Sequence, residues 1–116
     1  MNSINIPERT VTLHSWFHSY AYKLRARSNR SGYIDVRLNA LEHNIIYQYP
    51  DTLVKDLSAE QLLKCFQSMA GLKWSYIGQV ISWADAMFED CVSCGEREDN
   101  PLRRLKFMPV LIGGEH

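Results

Sequence analysis

Two pairs of side chains have the spacing of metal ligands. Cys91 and Cys94 stand at the ends of the stretch CVSC, and His14 and His18 lie four residues apart. Together these four side chains would suit a tetrahedral zinc ion. Each also has a simpler place in a packed helix, because Cys91 falls on an apolar stripe and the two histidines flank another. We therefore predict no bound zinc and no other cofactor. A redox role for the cysteine pair is less favoured still, since no βαβ pattern surrounds it.

The charged residues are unevenly distributed, although 13 basic and 13 acidic residues cancel over the chain. Residues 23–37 contain five bases and one acid, whereas residues 85–99 contain six acids and one base. We expect a dipolar molecule that holds a polyanion at its basic end while its acidic end faces away. The alternative interpretation of the basic segment is a solvated charged loop. The five bases are Lys23, Arg25, Arg27, Arg30 and Arg37.

Four segments have apolar residues at helical spacing, and these segments must position the charged side chains. The predicted helices cover about residues 12–27, 32–48, 58–70 and 75–94. Thr12 is a good N-cap residue, Ser58 and Gln61 form a capping box, and Gly95 suits a left-handed C-cap. No segment alternates with a period of two. The predicted fold is therefore all-α, a compact four-helix bundle with flexible termini, and we expect Phe88 and Leu41 in its core.

The last predicted helix has a face of small or neutral polar residues opposite its apolar stripe. Surface helices usually carry Lys and Glu there, so this face would let a partner approach the backbone closely. Either another helix of the fold or an external partner can occupy it. The residues are Ser75, Gln79, Ser82 and Ala86.

The stretch MFEDCVSCGEREDNP, residues 87–101, resembles the end of the core-binding domain of tyrosine recombinases, the phage integrase family. The family pattern there corresponds to Phe88, Cys91, Gly95 and the pair Asn100-Pro101. The resemblance covers roughly residues 10–105. It includes an opening helix that contains TLHSWFHSYAYKL and helices that begin after or at Ser31, at Leu57-Ser58 and at Ser75.

The resemblance implies a SAM-like helical bundle that clamps one side of a DNA crossover site. In the family a separate C-terminal domain, with an Arg, a His-x-x-Arg and a Tyr nucleophile, performs the chemistry. This chain contains no His-x-x-Arg, so we expect it to bind duplex DNA weakly on its own and to take part in integration or recombination only together with that catalytic domain. The resemblance implies DNA contacts at Ser31, Arg37, Lys73, Ser75, Tyr76 and Gln79. The basic segment adds Arg27 and Arg30, and the predicted linker adds Arg103 and Arg104. Trp74 is a further candidate, because we expect its aromatic ring in a loop beside Lys73.

The domain organisation expected from this pattern is an N-terminal arm (1–11), the core-binding domain (12–101) and a linker (102–116) towards a catalytic domain. The odd number of cysteines, three, favours a reducing cytoplasm. No apolar run approaches the roughly 20 residues that span a bilayer, so we expect no membrane partner. Expected partners are double-stranded DNA and the catalytic domain.

Two features depart from the family pattern. Arg97 stands where the family usually has an aliphatic residue, and Ile34 and Gly78 lie near positions often held by Thr. The competing hypothesis is a helical protein-interaction module, or a small regulator of a phage or mobile element, that does not bind DNA. Binding to duplex DNA that weakens with salt would distinguish the two.

Overall fold

The computed structural model describes residues 11–27 and 31–105, which form four α-helices together with turns and short 3₁₀ segments. Among these residues, the extended pairing is limited to a single antiparallel bridge between Thr12 and Leu53. The prediction of an all-α four-helix fold is confirmed. The helices are α1 (Leu13–Arg27), α2 (Ser31–Asn44), α3 (Ala59–Gln67) and α4 (Trp74–Ser93).

The predicted helix caps account for three of the helix ends. The side chain of Thr12 accepts a hydrogen bond from the Ser15 amide at 3.1 Å. Ser58 and Gln61 form the complete capping box at the start of α3. After α4, Gly95 adopts a φ of 82°. The amide of Glu96 then donates to the Cys91 carbonyl and that of Gly95 to the Val92 carbonyl, which is the Schellman pattern that satisfies the last carbonyls of a helix.

All four helices contribute to one hydrophobic core. Leu13 of α1, Leu41 of α2, Phe66 of α3 and Phe88 of α4 are completely buried. The large aromatic side chains Trp16, Phe17, Trp83 and Phe88 also lie in this core. They are therefore packing residues and are not available to stack on nucleic-acid bases.

Two predicted helices end earlier than expected. α2 stops at Asn44 instead of residue 48 and is followed by a 3₁₀ turn, Ile46–Gln48. Pro50 lies just beyond this turn and cannot continue a helix. α3 stops at Gln67 instead of residue 70. In the following turns the amides of Met69, Ala70 and Leu72 each donate to the carbonyl three residues back. The chain reverses at Gly71, which has a φ of 99°.

The chain after α4 folds back onto the bundle. Asn100 is buried, and its extended backbone, with ψ at 113°, agrees with a residue that precedes a proline. Its side-chain oxygen accepts a hydrogen bond from the Leu102 amide and so caps the 3₁₀ turn Pro101–Arg104. Leu102 and Leu105 are buried in the core. The packed domain therefore extends to Leu105, past the predicted boundary at residue 101, because these two apolar side chains complete the core.

The predicted N-terminal arm and the predicted C-terminal linker are only partly covered by the described residues. Val11 packs partly buried against the core, and its carbonyl accepts a hydrogen bond from the Val54 amide at 2.9 Å. The rest of the predicted arm, residues 1–10, and the remainder of the predicted linker, residues 106–116, lie outside the described residues.

The buried amide of Asn100 links the C-terminal turn to α4. Its Nδ2 donates to Asp85 Oδ1 and to Glu89 Oε2, each at 2.9 Å. The bond from Asn100, followed by that from Arg103, lowers the pKa of Glu89. The hydrogen bonds that lower the pKa of Glu89 stabilise the folded chain fully above the ordinary pKa of a Glu side chain. Their contribution is lost as the pH falls through the lowered pKa of Glu89.

Replacing Asn100 with aspartate should reduce the free energy of unfolding by about 1 to 3 kcal/mol at pH 7, because a buried donor is lost. Three carboxyl groups would then adjoin one another, which raises their pKa values in the folded state. The deficit should therefore shrink as the pH falls below 4. Urea unfolding at both pH values measures this, with Asn39→Asp on the exposed face of α2 as the control. A deficit that does not change with pH would contradict the assignment.

Candidate nucleic-acid interface

The first turns of α4 hold five of the residues that were predicted to contact DNA. Lys73, Trp74, Ser75, Tyr76 and Gln79 are all exposed. Lys73 occupies the N-cap position, and no side chain caps this end of the helix. The prediction that Trp74 lies in a loop before this helix is wrong, because Trp74 is the first residue of α4. Its side chain nevertheless stays at the surface, with 40% of the residue exposed.

The electrostatic character of this helix start is positive. The N-terminal end of a helix carries a partial positive charge, to which the Lys73 ammonium adds. α4 contains no Asp or Glu before Asp85. Backbone dipole and side chains together therefore favour an anion at this end of α4.

A groove that was not predicted from the sequence lies beside the start of α4. This groove has a volume of about 460 Å³ and is lined by His43, Asn44, Leu72, Lys73 and Tyr76. Asn44 donates from Nδ2 to the Tyr76 hydroxyl at 3.0 Å and to the Ala40 carbonyl at 2.9 Å. The buried amide thus orients the phenol ring at the rim of the groove. Nothing local in the sequence relates Asn44 to Tyr76, which lies 32 residues later.

The small polar face of α4 is open to solvent. Ser75, Gln79, Ser82 and Ala86 are all exposed. No helix in residues 11–27 or 31–105 covers them, so the alternative that another helix of the fold packs there is wrong for the described chain. This face continues the surface of Lys73 and Trp74 along the helix.

The prediction that bases and acids lie at opposite ends of the molecule is wrong. Asp90, in the acidic half of α4, lies 3.9 Å from both Lys23 and Arg27 of α1. Arg25 pairs with Asp35, the acid within the basic segment, at 3.3 Å. The tertiary fold brings the end of α1 beside the end of α4, so that most of the basic segment faces carboxylates of the same chain. Arg27 is accordingly a weaker candidate for phosphate binding.

The two arginines after Pro101 also have acidic neighbours. Arg103 binds Glu89 at 2.8 Å and lies 3.8 Å from Asp85, and Arg104 binds Asp99 at 2.7 Å. The hydrogen bond to Glu89 raises the pKa of Arg103. These pairs are exposed, and exposed pairs contribute little to stability. A phosphate would nevertheless have to compete with three carboxylates here.

Arg37 contributes to the packing between α1 and α2. It is half-buried, and its Nη2 donates to the Tyr20 hydroxyl at 3.1 Å. Burial raises the pKa of Tyr20, an effect that the neighbouring Arg37 opposes. Arg37 is thus held within the fold rather than projecting towards a ligand. Of the other two predicted contacts, Arg30 lies outside the described residues and Ser31 is the first residue of α2.

The candidate metal ligands do not converge on one site. Within residues 11–27 and 31–105, no three His, Cys, Asp or Glu side chains are grouped as a metal site requires. Cys91 is completely buried, and burial raises the pKa of its thiol to about 12. Such a thiol is a poor nucleophile and a poor metal ligand. The absence of bound zinc stays a prediction.

No helix in the described parts of the chain combines the length and the apolarity needed to cross a membrane. Comparisons with protein-family models, with curated proteins and with solved structures gave no match to this chain. The assignment of a function therefore depends on the surface at the start of α4 and on the residues that surround it.

Proposed function

We propose that this chain binds duplex DNA through the start of α4, in the manner of the core-binding domain of a tyrosine recombinase. One observation carries the proposal. Five side chains that were predicted to contact DNA lie exposed on consecutive turns, and no acid stands among them. These residues, called the α4 surface below, are Lys73, Trp74, Ser75, Tyr76 and Gln79.

The chemistry of the α4 surface suits a nucleic-acid backbone and its groove. The Lys73 ammonium and the positive end of the helix favour phosphate oxygens, and the hydroxyl of Ser75 can donate to one. Gln79 stands one turn further along, where a side-chain amide can bond the edge of an adenine. The exposed ring of Trp74 adds an aromatic surface against sugar or base.

The number of phosphate contacts should be small. Carboxylates of the chain lie beside Arg25, Arg27, Arg103 and Arg104, which leaves about two or three contacts centred on Lys73. Each neutralised phosphate contributes about 0.9 to the slope of log affinity against log salt, so we expect a slope of roughly −2 to −3. The affinity at physiological salt should lie near the non-specific range, about 10⁻⁴ to 10⁻⁶ M.

Within a recombinase this domain would form half of a clamp around the crossover site. A separate catalytic domain would supply the remaining contacts and the chemistry. The family resemblance and the capped Asn100-Pro101 turn support this larger role, in which tight binding requires both domains.

Lys73→Ala should weaken binding to all duplexes alike and flatten the salt slope by about one unit. Gln79→Ala should alter the preference between sequences more than it alters the slope, because an amide that reads a base edge carries no charge. Fluorescence anisotropy at several salt concentrations, with duplexes of different sequence, measures both effects.

The matched control is Lys55→Ala, which removes the same charge beside Glu96, Glu98 and Asp99. It should leave DNA binding nearly unchanged, because Lys55 is not part of the α4 surface. If Lys55→Ala weakens binding as much as Lys73→Ala does, the interaction is unspecific attraction to net charge and the α4 surface is not the site.

The groove beside α4 favours a second candidate function, docking of a protein partner. Exposed apolar side chains stand in and beside it, including Leu72 and Tyr76, with Tyr47 exposed on the turn after α2. Aromatic residues are enriched at protein interfaces. A chain that shows no affinity for duplex DNA at low salt would favour this function over the first.

A further inference from the structure

The function proposed above makes no use of His14 and His18, two exposed histidines of α1. They lie on successive turns, and their Nε2 atoms are 3.2 Å apart. The two rings stand nearly perpendicular, with centroids separated by 4.5 Å. The Nε2 atoms of the two imidazoles therefore lie side by side on the surface of the helix.

This separation matches the geometry of two ligands on one metal ion. Imidazole nitrogens bind zinc at about 2.0 to 2.1 Å. Two such nitrogens at ligand angles between square and tetrahedral are then about 2.9 to 3.4 Å apart. An ion could thus replace the hydrogen bond between the rings without movement of the backbone. Each ring would carry its proton on Nδ1 and present the Nε2 lone pair to the ion.

The backbone that holds the pair is fixed at its N-terminal end. The amides of Leu13 and His14 donate to the carbonyls of Thr52 and Pro50, at 2.7 and 3.1 Å. The neighbouring residues Leu13 and Phe17 are buried in the core. Since these contacts restrain the first turns of α1, little ordering is left for a metal to impose on the ligands.

We propose that His14 and His18 form a two-ligand surface site for a divalent transition-metal ion, with water in the remaining coordination positions. Imidazole ligands suit Cu²⁺, Ni²⁺ and Zn²⁺, and a site of this kind prefers Cu²⁺ over Ni²⁺. Because no third His, Cys, Asp or Glu of the described residues joins the pair, the ion exchanges with solvent. The site is therefore compatible with a protein that carries no structural zinc.

Titration of the full chain with Ni²⁺ by isothermal calorimetry tests the proposal. The chain should carry Cys94→Ser, because Cys94 is an exposed thiol that would compete for the ion. We expect one site per chain. Either His14→Gln or His18→Gln should weaken it by at least about tenfold, since even the loss of an outer-sphere partner costs 10- to 100-fold.

His43→Gln is the matched control, because His43 is likewise an exposed histidine in a helix. It should bind Ni²⁺ like the parent. Circular dichroism of each variant confirms that it is folded. Equal loss in the His43 variant, unchanged binding after loss of His14 or His18, or no binding by the parent would each overturn the proposal. None of these outcomes depends on whether the chain binds DNA.

Discussion

Replacing Phe88 with alanine should lower the free energy of unfolding by about 3 to 5 kcal/mol. The Phe88 ring has 0% of its surface exposed and lies within α4, in a core to which all four helices contribute. Its removal leaves a cavity that the surrounding helices can only partly fill. Because a domain of this size has a total stability of about 5 to 15 kcal/mol, the variant should lose a large share of it.

Urea unfolding followed by circular dichroism measures this effect. Leu41→Ala, equally buried in α2, should cost about 2 to 5 kcal/mol. The control is Val36→Ala, a residue of the same helix with 60% of its surface exposed, which should change stability by less than about 0.5 kcal/mol. Midpoints for Phe88→Ala and Leu41→Ala close to that of the parent would contradict the four-helix core.

Arg97→Ala should lower the free energy of unfolding by about 2 to 5 kcal/mol, because three backbone carbonyls lose a charged donor. Arg97 Nη1 donates to the Val54 carbonyl at 2.8 Å and to the Leu57 carbonyl at 2.7 Å. Its Nε donates to the Asp99 carbonyl, and only 7% of the side chain is exposed. The guanidinium thus ties the segment after α4 to the loop before α3.

Two further variants separate the effect of the planar guanidinium of Arg97 from the effects of its charge and its size. Arg97→Lys keeps the charge but cannot reproduce the planar fork, so it should recover only part of the loss. Arg97→Leu supplies the aliphatic residue that the recombinase pattern usually has, and it should remain destabilised because the carbonyls stay unpaired. Arg104→Ala is the control, because the Arg104 side chain is 69% exposed. Its ion pair with Asp99 should contribute at most about 1 kcal/mol to stability. If Arg97→Ala unfolds like the Arg104 control, Arg97 does not hold this loop.

Local signals predicted the parts of the fold that depend on neighbouring residues. Ser58 with Gln61, Gly95 and the Asn100-Pro101 pair each determine a helix end or turn within a few positions, and all behave as their residue types require. The apolar stripes likewise identified Phe88 and Leu41 as core. The same periodicity identified the small polar face of α4, but it left open whether another helix covers that face.

Contacts between distant segments could not be predicted in this way. Lys23 Nζ lies 3.3 Å from Cys94 Sγ, 71 positions later, and only the packed fold brings these helix ends together. The same is true of Arg97 with Val54, 43 positions apart. The charge pattern along the chain therefore indicated a dipolar molecule, whereas the folded chain places its bases beside its acids.

Mapping of amide chemical shifts tests the central claim, DNA binding by the α4 surface, most directly. The ¹⁵N-labelled chain would be titrated with a duplex at low salt. We predict the largest chemical-shift changes at residues 73–79, and smaller changes at His43 and Asn44 across the groove. The acid-rich segment 85–99 should show no change. These shifts should disappear as salt is added, because phosphate contacts release counterions. Unchanged spectra at low salt, or shifts that centre on another surface, would contradict the claim.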